Sequence, residues 1–378
     1  MILKNAEIFD ENFDLTRADV SVGGGRIARV GTGLSGEGEI DLSGCLVSPG
    51  FVDIHIHGCV GADTCDGKRE SIAKMASHLI GRGVTSFCPT TMTVALPEIE
   101  TALAAVKDCM DRPPEGAAVV GVNMEGPYIS PERRGAQSEE FVRRPDAEEF
   151  RRLYDGCGGI VRVVDIAPER EGADEFIRKV SGYCCVSMAH TEADYDQAMK
   201  GFGLGITHVT HLFNAMNGLN HRAPGAVGAT FDCGSVQAEL ICDGFHIHPV
   251  VLRTAFRILG EERTVVVSDS MRAAGLPDCV SELGGQTVYV RNGQARLKDG
   301  TIAGSTTNLY DEVKNLVRFG VPLRQAFRSV TLNPAASIGL QNEIGSIRAG
   351  KSADFVVLDK QLNLKMVIAK GKVAVDKR

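Results

Sequence analysis

Eight short apolar segments run through the middle of the chain, and most are followed by a stretch whose apolar residues have helical spacing. The segments are residues 47–54, 84–88, 118–124, 160–166, 183–189, 205–210, 236–241 and 264–268. Between them apolar residues recur three or four positions apart, as in Ile72, Met75 and Leu79, which indicates helices that bury one face. Continuous apolar strands that alternate with helices form parallel sheets, and eight such units close a (β/α)8 barrel. The sequence therefore predicts an α/β fold with a TIM barrel.

Both ends of the chain carry a different pattern, in which short β-like segments are separated by turn residues. The segments are residues 1–9, 18–22 and 26–30 near the start and residues 355–358 and 366–375 near the end. Such spacing is typical of small antiparallel strands. We therefore expect a small β-sandwich domain formed by both termini, residues 1–47 plus 343–378, and a barrel domain over residues 48–342. Residues 278–300 are expected to form a β-hairpin inserted after the last barrel strand.

Composition excludes several classes of function. The chain of 378 residues has a formal net charge of −7 and no basic run, so nucleic-acid binding is not expected. No apolar stretch approaches the ~18 residues of a membrane span, and the first residues lack the apolar core of a signal peptide. The 11 cysteines include no Cys-x-x-Cys motif, which indicates reduced thiols. These features favour a cytoplasmic protein that contacts neither nucleic acid nor a membrane.

Polar residues follow the apolar segments at the points where the predicted strands end. His55 and His57 are two residues apart, so their side chains share one face of the first strand. The same position after later strands holds Glu125, His190, His211, Asp243 with His246, and Asp269. Alone, each is more commonly a cap or a loop contact. In a barrel, however, all these positions open onto one face, so we expect the side chains to converge there.

Imidazole and carboxylate groups together suit Zn²⁺, Fe²⁺ or another divalent ion. Such an ion lowers the pKa of a bound water toward ~7, and Asp269 after the last strand is suited to take the proton of that water. The pattern indicates metal-assisted hydrolysis of an amide. The four remaining histidines lie inside elements or in loops and are interpreted as structural: His78, His208, His221 and His248.

Six motifs carry a resemblance to a known family. They are residues 49–58 (Pro-Gly-Phe-Val-Asp-Ile-His-Ile-His-Gly), 125–128 (Glu-Gly-Pro-Tyr), 211–216 (His-Leu-Phe-Asn-Ala-Met), 243–246 (Asp-Gly-Phe-His), 268–269 (Ser-Asp) and 303–305 (Ala-Gly-Ser). In these motifs and their order the chain resembles the amidohydrolase superfamily and, within it, the family of N-acetylglucosamine-6-phosphate deacetylases. The terminal segments also fit that family's small β domain, so the resemblance covers essentially the whole chain.

The resemblance implies a role for each matching residue. Glu125, His190 and His211 would hold the principal metal ion, and Asp269 would act as general base and then as general acid. Some members lack the strand-one histidine pair and use one ion. Because this chain has both His55 and His57, a second ion bridged by Glu125 is also implied. The expected cofactor is therefore a divalent metal (Zn, Fe or Mn), with one or two ions per chain.

The resemblance also implies a set of substrate contacts. They are Ala136, Gln137, Asn214, Ala215, Arg222, His246, Ile302, Ala303 and Gly304. Arg222 would bind the sugar phosphate as a bidentate guanidinium, reaching across a homodimer. Some members have a histidine at the position of Gln137, where the side chain helps to polarise the amide carbonyl, and glutamine can still donate a hydrogen bond there.

The function implied is hydrolysis of N-acetyl-D-glucosamine 6-phosphate to D-glucosamine 6-phosphate and acetate, in the use or recycling of amino sugars. Three alternatives remain at this point. The first is the same reaction on N-acetylgalactosamine 6-phosphate, which differs in one hydroxyl. The second is hydrolysis of other N-acyl or cyclic amides, although Ala167-Pro168-Glu169 stands where dihydroorotases often use a carboxylated lysine after strand four. The third is a non-catalytic scaffold, which predicts missing ligands.

Overall fold

The computed structural model describes residues 1–378, and its largest unit is a closed parallel barrel. The eight barrel strands are Phe51–Ile56, Val84–Thr91, Val122–Tyr128, Val161–Ile166, Cys185–Met188, His208–Val209, Gln237–Leu240 and Thr264–Val266. Each strand pairs in parallel with the next. The ring closes where Asp269 N donates to His55 O at 2.9 Å and Ile56 bridges Ser270. The predicted TIM barrel is confirmed.

Helices surround the barrel, and most of them follow the predicted apolar spacing. They are Arg69–Ile80, Leu96–Asp111, Ala147–Gly156, Ala173–Val180, Tyr195–Leu204, Gly225–Asp232, Pro249–Arg263, Leu309–Arg318, Leu323–Ser329 and Leu332–Ser337. Gly225–Asp232 was not predicted, because its residues Gly-Ala-Val-Gly-Ala-Thr are all buried and show no polar face. None of these helices has the length and continuous apolar character that crossing a bilayer requires.

The two ends of the chain form one mixed sheet beside the barrel, with both antiparallel and parallel strand pairs. Its strands are Ile2–Phe9, Leu15–Gly23, Arg26–Gly31, Glu39–Asp41, Leu46–Pro49, Phe355–Leu358, Leu364–Ala369 and Lys372–Asp376. The sheet folds over on itself, since Ala353 N donates to Gly25 O and a Cβ on Gly371 would lie 2.8 Å from Val22. A separate apolar core fills the fold of this sheet. Both termini therefore build one small β unit, as expected.

The first predicted strand, residues 47–54, is in fact two strands in different sheets. Leu46–Pro49 pairs with Phe355–Leu358 of the terminal sheet, and Phe51–Ile56 pairs with the second barrel strand. The break falls at Gly50, whose N–H donates to Asp354 O at 2.9 Å. The apolar run is continuous in sequence because both strands are buried, so hydrophobicity alone does not reveal the break. The expected boundary between residues 47 and 48 lies inside Leu46–Pro49.

The third predicted strand is also divided. Ala118–Val119 pairs with the second barrel strand, and the chain then passes Gly121 before Val122–Tyr128 begins. The strand runs past Glu125 rather than ending before it, since Tyr128 pairs again with Ile166 after a shift of register that follows Met124. Glu125 therefore stands at an irregularity within the strand, directly after the paired Met124.

Residues 278–300 contain three antiparallel strands rather than a simple hairpin: Val280–Leu283, Gln286–Arg291 and Gln294–Arg296. Shorter elements complete the chain, namely the paired Gly58–Cys59 and Ala62–Asp63 and the 3-10 turns Thr64–Asp66, Pro131–Arg133 and Glu139–Phe141. Gln286 Nε2 donates to Ala136 O at 2.5 Å. The inserted sheet is thereby attached to the loop that follows the third barrel strand.

A substitution at Gly50 tests the passage between the two sheets. A Cβ on Gly50 would lie 2.1 Å from Thr85 Oγ1 and 2.5 Å from Thr85 Cγ2. Because Thr85 is buried and β-branched, we expect Gly50→Ala to lower the free energy of unfolding by about 1–3 kcal/mol. Chemical denaturation measures the loss. Gly31→Ala is the matched control, since a Cβ there meets nothing within 4 Å. An equal loss in both variants would contradict the steric argument, as would an undiminished loss for Gly50→Ala in a Thr85→Ala background.

Candidate active site

A cavity of about 400 Å³ opens at the carboxyl ends of the barrel strands. Among its lining residues are His57 directly after the first strand, Glu125 within the third, and His190, His211 and Asp269 just past the ends of the fifth, sixth and eighth. His55 lies beneath them and is fully buried. The sequence separates these residues by more than 200 positions, and the barrel brings them together as expected.

Glu125 is the centre of this group. Its Oε1 lies 3.1 Å from His190 Nε2 and 2.9 Å from His211 Nε2, and those two nitrogens lie 3.1 Å apart. Its Oε2 lies 3.2 Å from His57 Nε2, and His55 Nε2 lies 3.6 Å from Oε1. One carboxylate is thus shared by four imidazoles.

Asp269 faces the histidines of the first strand. Its Oδ1 lies 3.3 Å from His57 Nε2 and 3.6 Å from His55 Nε2. The residue retains 7% of its exposure and lines the open cavity. A proton accepted by this carboxylate can therefore pass to a molecule bound in the cavity.

Three of these residues have left-handed backbone conformations. The φ angles are 43° at His190, 30° at His211 and 44° at Asp269. L-residues rarely adopt such angles, at a cost of roughly 1–3 kcal/mol each, and they persist where surrounding structure enforces them. All three stand where a barrel strand gives way to a loop, so each unusual turn helps to direct a side chain into the barrel mouth.

The ring nitrogens indicate that these residues fit a metal ion. His55 Nδ1 donates to Glu239 Oε2 at 2.9 Å, and His190 Nδ1 donates to Arg133 O at 2.8 Å. In the neutral rings Nε2 then carries a lone pair directed at the Glu125 carboxylate, which also offers only lone pairs. A cation among these atoms resolves the conflict. His55 Nε2, buried and without a hydrogen-bond partner, fits the same interpretation.

The donor atoms fall into two groups of three that share one residue. Glu125, His190 and His211 form one group, and His55, His57 and Glu125 form the other. Within each group the ligand atoms lie within 4.8 Å of one another. Nitrogen and oxygen donors of this kind suit first-row divalent ions. The geometry thus provides for one ion or for a pair bridged by Glu125.

The electrostatics of the site favour positive charge. Burial alone would raise the pKa of Glu125, but hydrogen bonds to His190 and His211 hold that pKa well below its usual range. Burial likewise opposes ionisation of Asp269, yet its pKa is lowered by the charge of His55 and the hydrogen bond to His57. In turn, Asp269 and Glu125 overcome burial and raise the pKa of His57 to about 10. Two buried carboxylates therefore stay ionised and attract cations.

Gln137 contacts Glu125 directly. Its amide oxygen accepts from Thr93 N at 2.7 Å, which turns the Nε2 donor toward Glu125 Oε2. The residue is 3% exposed and lines the cavity. The resemblance implied that Gln137 polarises the substrate carbonyl, but here its amide donor points at the shared carboxylate.

Most of the expected substrate contacts line the same cavity. They are Ala136, Gln137, Asn214, Ala215, His246, Ile302 and Gly304. His246 Nδ1 lies 2.7 Å from Asp243 Oδ2, so this ring is held in place by the carboxylate that precedes it. Asp243 itself does not line the cavity.

Two expected contacts lie elsewhere. Ala303 is fully buried, and its N–H donates to Ala295 O at 3.0 Å, so its neighbours Ile302 and Gly304 face the cavity instead. Arg222 is exposed and lines a different depression, near Asp194 and Asn217. Within one chain Arg222 therefore contributes nothing to the cavity.

Some residues of the site were missed by sequence reasoning. Glu239 is a fully buried carboxylate that contacts His55 and also His208, which was interpreted as structural. A charged residue inside a strand that is predicted to be buried in the barrel, Gln-Ala-Glu-Leu, is the signal that could have identified it. Other lining residues that the motifs did not reveal are Met92, Glu132, Arg133, Leu283 and Thr301.

Comparison with curated proteins identifies close relatives. The chain is 35% identical to an N-acetylglucosamine-6-phosphate deacetylase from Bacillus subtilis over 383 residues, covering 99% of this chain and 97% of that one. It is also 35% identical to an N-acetylgalactosamine-6-phosphate deacetylase from Escherichia coli O157:H7 over 331 residues, or 87% and 88% of the two chains.

Solved structures agree with these relatives over the full length. A mutant N-acetyl-D-glucosamine-6-phosphate deacetylase from Mycobacterium smegmatis, in complex with N-acetyl-D-glucosamine-6-phosphate, matches with a TM-score of 0.93 at 31% identity and covers 99% of both chains. An N-acetylglucosamine-6-phosphate deacetylase from Thermotoga maritima matches with a TM-score of 0.90 at 33% identity over both whole chains. The model of the amidohydrolase family matches residues 46–374. The resemblance inferred from the motifs is confirmed, and the chain belongs to the amidohydrolase family.

Proposed function

We propose that this chain is a metal-dependent deacetylase that hydrolyses N-acetyl-D-glucosamine 6-phosphate to D-glucosamine 6-phosphate and acetate. The observation that carries the proposal is the buried Glu125 carboxylate, shared by His190, His211 and His57 at the mouth of the barrel. The relatives with this name match nearly the whole chain, which supports the choice of substrate. A non-catalytic scaffold would not preserve this cluster.

Glu125, His190 and His211 would hold the principal ion, and His55, His57 and Glu125 would hold a second ion. Zn²⁺, Fe²⁺ and Mn²⁺ all suit such nitrogen and oxygen donors. When bound, a divalent ion supplies an acidified water and a positive charge for the amide oxygen. The chain's part is to keep Nε2 of each imidazole free, as the Nδ1 contacts of His55 and His190 do.

Asp269 is proposed to move the proton. It accepts a proton from the attacking water while the water oxygen bonds to the acetyl carbon, and it returns that proton to the amide nitrogen as the C–N bond breaks. One water is consumed, and the products are the amine and acetic acid, which releases its own proton to give acetate. The position of Asp269 beside His57, at the edge of the open cavity, supports this assignment.

The sugar is proposed to lie against the residues that line the rest of the cavity. Asn214 and Ala215 would contact it through side chain and backbone, His246 would contact a ring substituent, and Ile302 and Gly304 would form the wall. Ala136 and Gln137 line the side nearest Glu125. Ala303 is proposed to act through its buried backbone rather than by contact.

A homodimer is proposed because Arg222 is exposed and lies outside its own chain's cavity. A guanidinium that binds the substrate phosphate from this position has to come from a second copy of the chain. The proposed location is the cytoplasm, which suits a chain whose 11 cysteines are all free thiols.

The 4-epimeric substrate is the second candidate, favoured by the relative named N-acetylgalactosamine-6-phosphate deacetylase at equal identity. Acetate release from the two sugar phosphates distinguishes them. We expect turnover that favours the gluco sugar, disappears on chelation and returns with Zn²⁺, Fe²⁺ or Mn²⁺. Preference for the galacto sugar would change the substrate and keep the chemistry. Absence of turnover on both, with metal bound, would refute the proposal and direct attention to other N-acyl or cyclic amides.

Asp269→Asn tests the proton-transfer role. Asparagine keeps the size of the side chain but cannot accept the proton, so kcat should fall by roughly 10²–10⁴-fold. Metal content by mass spectrometry and substrate affinity by calorimetry should stay near wild type. A kcat within a few-fold of wild type would remove Asp269 from the mechanism.

Mixed dimers test whether Arg222 acts across a subunit boundary. Arg222→Ala should raise KM strongly and change kcat less, because it removes a phosphate contact remote from the acetyl group. If Arg222 serves the partner's cavity, a hybrid of an Arg222→Ala subunit with an Asp269→Asn subunit contains one complete site. Co-expressed, differently tagged subunits should then recover activity with the wild-type KM. Hybrids that show only the high KM of Arg222→Ala would place Arg222 in its own chain's site.

A further inference from the structure

His55 differs from the other three histidines around Glu125 in what its outer nitrogen, Nδ1, contacts. His190 Nδ1 donates to the carbonyl of Arg133 at 2.8 Å, and His57 Nδ1 donates to the carbonyl of Thr90 at 3.3 Å. His211 Nδ1 is buried without a partner. Of these four rings, only His55 has a carboxylate on Nδ1, that of Glu239 at 2.9 Å. A carboxylate on the outer nitrogen makes the inner nitrogen of an imidazole a stronger ligand than a carbonyl does.

Glu239 is held rigidly for this contact. It is fully buried on the strand Gln237–Leu240. Its Oε1 accepts from His208 Nε2 at 3.1 Å, and its Oε2 accepts from His55 Nδ1 and, at 3.2 Å, from the backbone N–H of His211. An ionised carboxylate only accepts hydrogen bonds, so these contacts require the proton of His55 to lie on Nδ1. When the ring is neutral, as a metal ligand must be, Nε2 of His55 then presents its lone pair toward Glu125 and Asp269.

We propose that Glu239, steadied by His208, is the positioning residue that determines whether the His55–His57 side of the site binds a second metal ion. The inference deepens the proposed function, because it rests on the assignment of this cluster as a metal site. Removing an outer partner of a metal-binding histidine typically weakens metal affinity 10–100-fold. Here only the affinity for the second ion should fall. The ligands of the principal ion are affected less, since His190 keeps its own carbonyl partner and Glu239 contacts His211 only through the backbone.

The same arrangement explains His208, a buried histidine that contacts neither the cavity nor a candidate metal ligand. Its Nε2–H is the one donor to Glu239 Oε1, and its Nδ1 has no partner. Without it, that oxygen would be free to turn, and a second rotamer of Glu239 would leave His55 Nδ1 without its acceptor.

Metal titration of the full-length protein tests the proposal. Protein stripped by a chelator is titrated with Zn²⁺ in metal buffers, and bound zinc per chain is measured by mass spectrometry. We expect two ions on the wild type. Glu239→Gln should bind the first ion normally and the second 10–100-fold more weakly, because an amide has one acceptor oxygen for two histidines and no charge. Loaded with Mn²⁺, the wild type should give the electron paramagnetic resonance spectrum of a coupled pair and Glu239→Gln that of an isolated ion.

Asp165→Asn is the matched control. Asp165 is a fully buried carboxylate on the fourth barrel strand, and its hydrogen bond, accepted from Thr210 Oγ1 at 2.8 Å, involves no candidate metal ligand. This variant should titrate as the wild type does. If Glu239→Gln does not fold, as judged by circular dichroism, the test uses His208→Gln instead. That variant should also lower the affinity for the second ion, but by a smaller factor than Glu239→Gln.

The outcomes separate this inference from the proposed function. Unchanged affinity for both ions in the Glu239 and His208 variants, or equal loss of both ions, would overturn the role of Glu239. A wild type that saturates with one ion yet releases acetate would also overturn it while leaving the deacetylase intact. A wild type that binds two ions and releases no acetate from either sugar phosphate would refute the deacetylase, and the Glu239 result would stand on its own.

Discussion

The shared carboxylate of Glu125 is the contact on which the rest of the site depends. Four imidazoles approach it, three at Oε1 and one at Oε2, and only His55 and His57 are close to each other in the chain. Like-directed lone pairs around a buried carboxylate repel one another unless positive charge lies among them. The barrel therefore has to hold these groups against their mutual repulsion, and they accordingly stand within barrel strands or directly after them rather than far out in loops.

Left-handed turns at strand ends show how the barrel meets this demand. His190, His211 and Asp269 all have positive φ, and the hydrogen bonds around them leave little freedom: His190 O accepts from Ser130 N, and Asp269 N donates to His55 O. The second of these bonds also closes the barrel between its first and last strands. The same hydrogen bond thus closes the barrel and positions Asp269, the proposed proton carrier. Loss of this bond would therefore affect both the closure of the barrel and the position of Asp269.

The fold was predictable because it is encoded by repetition. Apolar strands and helical spacing recur through the chain, and an error at one boundary does not change the architecture. Sequence reasoning missed the break at Gly50 and the helix Gly225–Asp232 for the same reason. Where both faces of an element are buried, the sequence lacks the polar residues that would mark where the element begins and ends. Whether an element is buried on all sides depends on the elements that pack around it, so it cannot be inferred from the local pattern of a single sequence.

The residues of the site likewise divide into those that the sequence predicted and those that it did not. Residues at strand ends, such as His57 and His211, were identified because position in a barrel predicts convergence. Glu239 was missed because it lies inside a strand, below the mouth, where its partner His55 is 184 positions away in sequence. Its carboxylate is nevertheless what fixes the proton of His55. A search limited to groups at the mouth finds the atoms that meet a substrate or an ion, whereas the residues that decide their protonation lie one layer deeper. For such deeper residues, the informative signal in the sequence is a charged residue at a position where the strand pattern predicts an apolar one.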